Sequence, residues 1–133
     1  MPAPAPEARN PARRPRRAPA ASGLLAALLA CTSPPPGAPS DAVVRMFAAV
    51  EAGDCDAVLA TLARTYRADL EQRHTCAELL EDLRRLRLER VIDTRIDGRD
   101  PRAHLVRIRL QGRSNDSWIR VEEEDGAWRI VSM

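Results

Sequence analysis

The sequence predicts one α+β domain over residues 41–133, in which three N-terminal helices pack on a curved antiparallel sheet of about four strands. Two observations predict this architecture. Apolar residues recur at helical spacing as far as Leu86, and then with a period of two from Ile92 onward. Turn residues separate the later segments, as they do between hairpin-linked strands. Helices followed by such strands typically form a helical layer on one face of an antiparallel sheet.

Helix-start and helix-stop residues place the three helices. Asp41 is a typical start residue, and Gly53 is a typical stop for the first helix. Asp54 is expected to cap a short second helix. The third helix is predicted to begin at Thr75, which forms a capping box with the glutamate three positions later. The segment 64–73, between the second and third helices, is polar and is predicted to be irregular.

Four segments of alternating polarity predict the strands. Their alternation begins at Ile92, His104, Ile119 and Trp128. The break at 98–101, the turn at 112–116 and the pair Asp125-Gly126 separate these segments. Asp-Gly between two apolar runs is a strong signal for a tight hairpin.

Residues 1–30 are predicted to be a secretory signal peptide. A basic segment at 12–17 precedes a short apolar segment at 23–30, which ends in a small residue before Cys31. A positive segment, a short apolar segment and a small residue at the cut site are the parts of such a signal.

The quartet Leu-Leu-Ala-Cys at 28–31 resembles the bacterial lipobox. The resemblance implies that Cys31 receives a diacylglycerol thioether, becomes the first residue of the mature chain and anchors it to membrane lipid. The alternative is that 24–30 begins an ordinary helix with Cys31 as a buried thiol, which the flanking prolines disfavour. Residues 31–40 are predicted to be the lipidated cysteine and a Pro-rich tether in extended polyproline II conformation.

Charge argues against nucleic-acid binding. The full chain carries +2, and all 21 basic residues are arginine. Five arginines and one acid precede Cys31, so the predicted mature chain holds 16 arginines, 18 acids and a net charge of −2. Charges of both signs are interleaved along the domain, whereas nucleic-acid binders carry a basic stripe. The predicted partners are membrane lipid and either a small apolar ligand or an envelope protein.

Two segments of the domain resemble the cone-shaped, cystatin-like fold of nuclear transport factor 2, ketosteroid isomerase and the SnoaL-like proteins. Residues 47–54, FAAVEAGD, are similar to the family's helix–Gly-Asp–helix opening, and residues 124–130, EDGAWRI, to its closing hairpin. Small lipoproteins with this fold are the closest likeness. The resemblance implies an apolar cavity between helices and sheet, where enzymes of the superfamily place acid–base residues.

His104 and Tyr66 are the candidate pocket residues. His104 lies on an apolar strand face, where its neighbours are Val106, Ile108 and Leu110. It is either a general base near neutral pH or a histidine hydrogen-bonded at the rim of the sheet. Tyr66 is the only tyrosine. The catalytic residues of the superfamily's enzymes have no counterparts in this sequence, and no metal-ligand spacing or cofactor motif is evident.

Cys55 and Cys76 are predicted to form a disulfide. Lipidation of Cys31 leaves one pair among the three cysteines, and an exported domain meets oxidising conditions. Both cysteines also fall at predicted helix starts. The alternative is two buried reduced thiols that act as small apolar side chains.

The sequence therefore predicts a lipid-anchored protein of the cell envelope that faces the periplasm or the cell exterior. Its domain is expected to be a non-catalytic ligand-binding or protein-interaction module. Two alternatives remain: a small enzyme of the ketosteroid-isomerase or SnoaL type with His104 in a cavity, and a purely structural surface protein. An open cavity lined by His104 would favour ligand binding or catalysis, whereas a closed core would disfavour both.

Overall fold

A computed structural model of the protein describes residues 1–4 and 35–133. The predicted signal peptide, Cys31 and the first residues of the tether lie outside the described residues. The chain divides into two compact units, Met1–Cys31 and Thr32–Met133. The fold described below is that of the second unit.

Within this unit, helices precede strands. The helices are α1 (Pro39–Ala52), α2 (Cys55–Ala60), α3 (Arg64–Arg73) and α4 (Cys76–Arg84), and the strands are β1 (Leu88–Asp97), β2 (Asp100–Leu110), β3 (Ser117–Glu124) and β4 (Ala127–Ser132). The strands form one antiparallel sheet in the order β1-β2-β3-β4. The predicted α+β class and the four-stranded antiparallel sheet are therefore confirmed. The predicted number of helices is wrong, because residues 64–73 form a fourth helix.

Helix α1 supplies the largest apolar face of the helical layer. It begins at Pro39, one residue before the Ser40-Asp41 pair that predicts its start, and the Asp41 carboxylate accepts a hydrogen bond from the Ala38 N–H at 2.8 Å. The helix ends at Gly53, whose φ of 69° is in the left-handed region that favours glycine. Six of its residues are buried: Ala42, Val43, Met46, Phe47, Ala49 and Val50. Val44, which falls outside this face, is 46% exposed.

The inner face of the sheet is the surface that packs against the helices. Its buried residues are Val106, Ile108, Leu110, Ile119, Val121, Trp128 and Ile130. Antiparallel register aligns them across the strands, since Val121 lies opposite His104 on β2 and Ile130 on β4. The buried residues of α1 and of the sheet belong to one hydrophobic cluster.

The domain begins before α1. Pro35 is buried, and the Trp128 indole donates a hydrogen bond to the Gly37 carbonyl at 3.3 Å. Gly37 itself has a φ of 82°, which reverses the chain into the helix. The second half of the predicted tether is thus part of the folded unit.

The β4 edge of the sheet is closed by the segment between α2 and α3. The Ala63 N–H donates to the Ile130 carbonyl, and the Ile130 N–H donates to the Thr61 carbonyl, both at 2.8 Å. Strand β1 forms the opposite edge, and its register with β2 shifts near Glu89 and near Ile92. Such bulges make an edge strand a poor template for further strands.

The predicted disulfide between Cys55 and Cys76 is confirmed. Its Cα atoms lie 6.0 Å apart, within the range that a disulfide requires. The bridge joins the first residue of α2 to the first residue of α4, so α3 lies within the closed loop. Closing a loop of this length contributes about 3 kcal/mol on the chain-entropy model.

Helix α3 is amphipathic, although its sequence is polar. Leu70 is its buried residue. On the exposed surface Arg67 pairs with Glu71 at 3.0 Å, and Arg73 pairs with Asp69. Pairs at this spacing stabilise a helix by a few tenths of a kcal/mol each.

The start of α3 is capped from a distance. The residue at its N-cap position, Ala63, has no side-chain acceptor. The Glu124 carboxylate, at the end of β3, accepts a hydrogen bond from the Arg64 N–H at 3.0 Å. The Glu124 carboxylate from β3 thus replaces a local capping side chain.

Replacing this remote cap tests its contribution. Glu124→Ala is expected to lower the free energy of unfolding by about 1 kcal/mol, the usual value of an N-cap bond, and to speed amide exchange in α3. Glu123→Ala is the matched control, because Glu123 is exposed on the same strand. Urea unfolding of both variants provides the measurement, and equal losses would contradict the capping role.

Candidate binding surface

The two predicted pocket residues do not form a common site. His104 lies on the inner face of β2 and packs edge-on against Trp128, with ring centroids 4.9 Å apart and planes at 76°. Its Nδ1 is buried without a hydrogen-bond partner among the described residues. Tyr66 lies half-buried on α3. Neither side chain lines any of five surface grooves in the described residues.

The reason is that the space between helices and sheet is filled. Met46 and Val43 from α1 and Val106 from β2 are 0% exposed. Aliphatic side chains thus fill the layer between α1 and the inner face of the sheet. His104 and Tyr66 are thus not brought together in one groove, and a pocket at either residue stays a prediction.

One groove lies between the end of α1 and the end of α4. Its volume is about 410 Å³, and Phe47, Val50, Glu51, Arg84, Leu86 and Arg87 line it. Volumes of this size suit small ligands. The rim, however, combines one carboxylate with two guanidinium groups, so it offers no single charge preference.

The outer face of the sheet, which faces away from the helices, carries an exposed aromatic cluster. Trp118 on β3 is 37% exposed. The guanidinium carbon of Arg95 on β1 lies 4.3 Å from the centroid of its ring, and that of Arg107 on β2 lies 5.6 Å away. These are cation–π distances. We call these three residues the Trp118 cluster.

Ion pairs surround the Trp118 cluster and hold its shape. Arg107 pairs with Asp93 at 2.8 Å, and Arg109 pairs with Asp116 at 2.6 Å. Arg95 has no ion pair within the described part of the chain. Its positive charge is therefore free to meet an acidic group of a partner.

Sequence reasoning missed the Trp118 cluster. Trp118 alternates with the buried Ile119, which indicates that Trp118 faces outward. Arg107 alternates with the buried Val106, which indicates that Arg107 faces outward as well. Neither signal shows that Arg95, more than 20 positions earlier in the sequence, is a neighbour. The proximity of Arg95 to Trp118 depends on the register of β1 against β2 and of β2 against β3.

Tyr66 provides a clean test of the packing of α3. Burial raises its pKa above 10.0, the Arg73 charge lowers it and the Asp69 charge raises it further. The Tyr66 phenol therefore ionises at a lower pKa in the unfolded chain than in the folded protein. The contribution of the neutral phenol to the free energy of unfolding is fully present below pH 10, and it is lost as pH rises through the pKa of the folded protein.

As this is the only tyrosine, phenolate absorbance reports it alone. The midpoint for folded protein is expected above that of urea-denatured protein. Coincident midpoints would show that α3 does not bury Tyr66.

The described residues contain neither a metal site nor a membrane span. Among residues 1–4 and 35–133, no three or more His, Cys, Asp or Glu side chains are grouped to hold a metal ion. No helix in these same ranges is long and apolar enough to cross a bilayer. Comparisons with protein-family models, with curated proteins and with solved structures find no match to this chain.

Proposed function

We propose that this chain is an exported bacterial lipoprotein, anchored through Cys31 to a membrane of the cell envelope, whose domain binds an envelope protein through the Trp118 cluster. The domain then faces the periplasm or the cell exterior. The observation that carries the binding function is the exposed Trp118 with an unpaired Arg95 over its ring.

Export is supported by two independent features. The basic–apolar–Leu-Leu-Ala-Cys order at 12–31 has the form of a lipoprotein signal. The disulfide between Cys55 and Cys76 fits the oxidising compartments in which such bonds persist. A reducing cytosol would remove its stabilising effect.

Protein binding is supported by the chemistry and the shape of the outer sheet face. Trp and Arg are the residue types most enriched at binding hot spots. The ring of Trp118 lies on an open strand surface rather than in a concave site, and such a surface fits another protein better than a small molecule. The filled interior disfavours the alternative of an enzyme with His104 in a cavity.

The finer fold is part of the proposal: the domain is a small non-catalytic relative of the cone-fold family. Two local features support it. Gly53 ends α1, and the Asp54 side chain accepts from the Ala57 N–H at 3.0 Å at the start of α2. The turn at Asp125-Gly126 joins β3 to β4. Helix α3 occupies the part of the chain where larger members have their first hairpin.

Lipidation is expected at Cys31. The mature protein in the membrane fraction should lack residues 1–30 and carry the mass of a diacylglycerol thioether. Cys31→Ala should abolish both cleavage and the added mass, whereas Cys55→Ala, the matched control, should leave both intact. A Cys31→Ala protein with an unchanged lipid mass would contradict the anchor.

Trp118 is expected to be a hot spot. A photo-crosslinking amino acid at Leu105, which lies opposite Arg95 on the outer sheet face and leaves Trp118 in place, should trap one envelope protein in cells. The same group at Gln72, on the exposed surface of α3, should not. With that partner purified, Trp118→Ala should raise the Kd about 30-fold. Arg113→Ala, in the turn between β2 and β3, serves as the control, and equal Kd values for the two variants would contradict the assignment.

A further inference from the structure

The folded unit begins at one end of the sheet. Trp128, whose indole bonds to Gly37, pairs with Glu123 close to the turn between β3 and β4. Because the sheet is antiparallel and its strands are sequential, the turn between β1 and β2 lies at this same end. The chain therefore enters the domain beside both hairpin tips, and we call this side the hairpin end.

Covalent geometry limits how far this end can lie from Cys31. The buried Pro35 lies only four positions after Cys31, and a chain of that length spans at most about 14 Å. Helix α1, of 14 residues, then runs about 21 Å toward the other end of the sheet. A lipid on Cys31 would hold the hairpin end close to the bilayer and the turn at 112–116 far from it.

The tip between β1 and β2 combines apolar exposure with positive charge. Ile96 is 59% exposed. The Arg102 side chain is 86% exposed, and Arg99 is exposed beside it. Exposed isoleucine next to arginine suits the boundary between anionic headgroups and acyl chains.

The two aspartates of this tip are occupied internally. The Asp97 carboxylate accepts from the Arg99 N–H, and the Asp100 carboxylate accepts from the Arg102 N–H, both at 3.0 Å. The Arg120 guanidinium lies 3.6 Å from Asp97 and 3.8 Å from Asp100. Arg120 also pairs with Glu122 at 2.9 Å, and the Arg102 guanidinium itself lies 3.5 Å from Asp100. The Arg102 side chain nevertheless stays 86% exposed, and Arg99 has no ion pair among the described residues, so both guanidinium groups can contact headgroups.

The other tip, between β3 and β4, has the opposite character. Glu123 and Asp125 are exposed there, and Asp125 pairs with Arg64 at 2.8 Å. Glu123 has no ion pair among the described residues, so an anionic surface repels its carboxylate. The tip between β1 and β2 is thus suited to an anionic membrane, whereas the tip between β3 and β4 is not.

We propose that the anchored domain rests on its own membrane through the tip between β1 and β2, with Arg99 and Arg102 on anionic phospholipid headgroups and Ile96 at the interface. This proposal depends on the lipid anchor proposed above. In this orientation the Trp118 cluster remains on the side of the domain, accessible to a partner on the same membrane. Each arginine near an anionic surface adds to the attraction, which salt weakens.

Hydrogen exchange of the purified lipidated protein tests the proposal. The protein is reconstituted in vesicles of phosphatidylcholine alone or of phosphatidylcholine with phosphatidylglycerol. Amides at 96–102 are expected to exchange several-fold more slowly with phosphatidylglycerol present, while amides at 112–116 do not change. The double variant Arg99→Gln and Arg102→Gln should lose this protection, and Arg113→Gln, at the opposite end, should keep it.

The measurements distinguish failure of the lipid anchor from failure of the membrane contact. Intact mass is measured first, and a chain without lipid on Cys31 would overturn the anchor and this proposal together. A lipidated chain with equal exchange at 96–102 in both vesicles would overturn this proposal alone. Protection that persists in the double variant would also overturn it, and that comparison requires the variant to match the unfolding temperature of the unmodified protein.

Discussion

The contact between α1 and the inner face of the sheet positions every other part of the domain. With one Phe, one Tyr and two Trp in the whole chain, the core depends on aliphatic side chains such as Met46 and Ile108. Aliphatic cores are stable only when they are filled, since each void forfeits dispersion contacts. The close fit of α1 on the sheet therefore fills the layer behind the inner sheet face with aliphatic side chains.

Because aliphatic side chains fill the interior, the candidate binding site lies at the surface. Among the described residues no helix covers the outer sheet face, and several of its charges pair across the strands, such as Arg107 with Asp93. Trp118 and Arg95 are the exception, because the aromatic ring occupies a position where an acid could have paired with that arginine. The same layered architecture thus explains both the filled core and the exposed cluster.

The elements predicted correctly are those whose signals are local. The Gly53-Asp54 boundary and the capping box, in which the Glu78 carboxylate accepts from the Thr75 N–H at 2.7 Å, depend on neighbours within three residues. The disulfide followed from cysteine count and compartment. Helix α3 was missed because its cap, Glu124, is 60 positions away from Arg64. The Trp118 cluster was missed for a similar reason, since strand register brings its members together.

The backbone bonds that join residues 61–63 to Ile130 affect the order of events in folding. The loop from Cys55 to Cys76 can close while only the helical half of the chain has emerged, whereas its attachment to β4 must wait for the last strand. Contacts of such long sequence separation are slow to form. The attachment of residues 61–63 to β4 is therefore expected to follow closure of the loop, and it covers a sheet edge that would otherwise be open to strands of other chains.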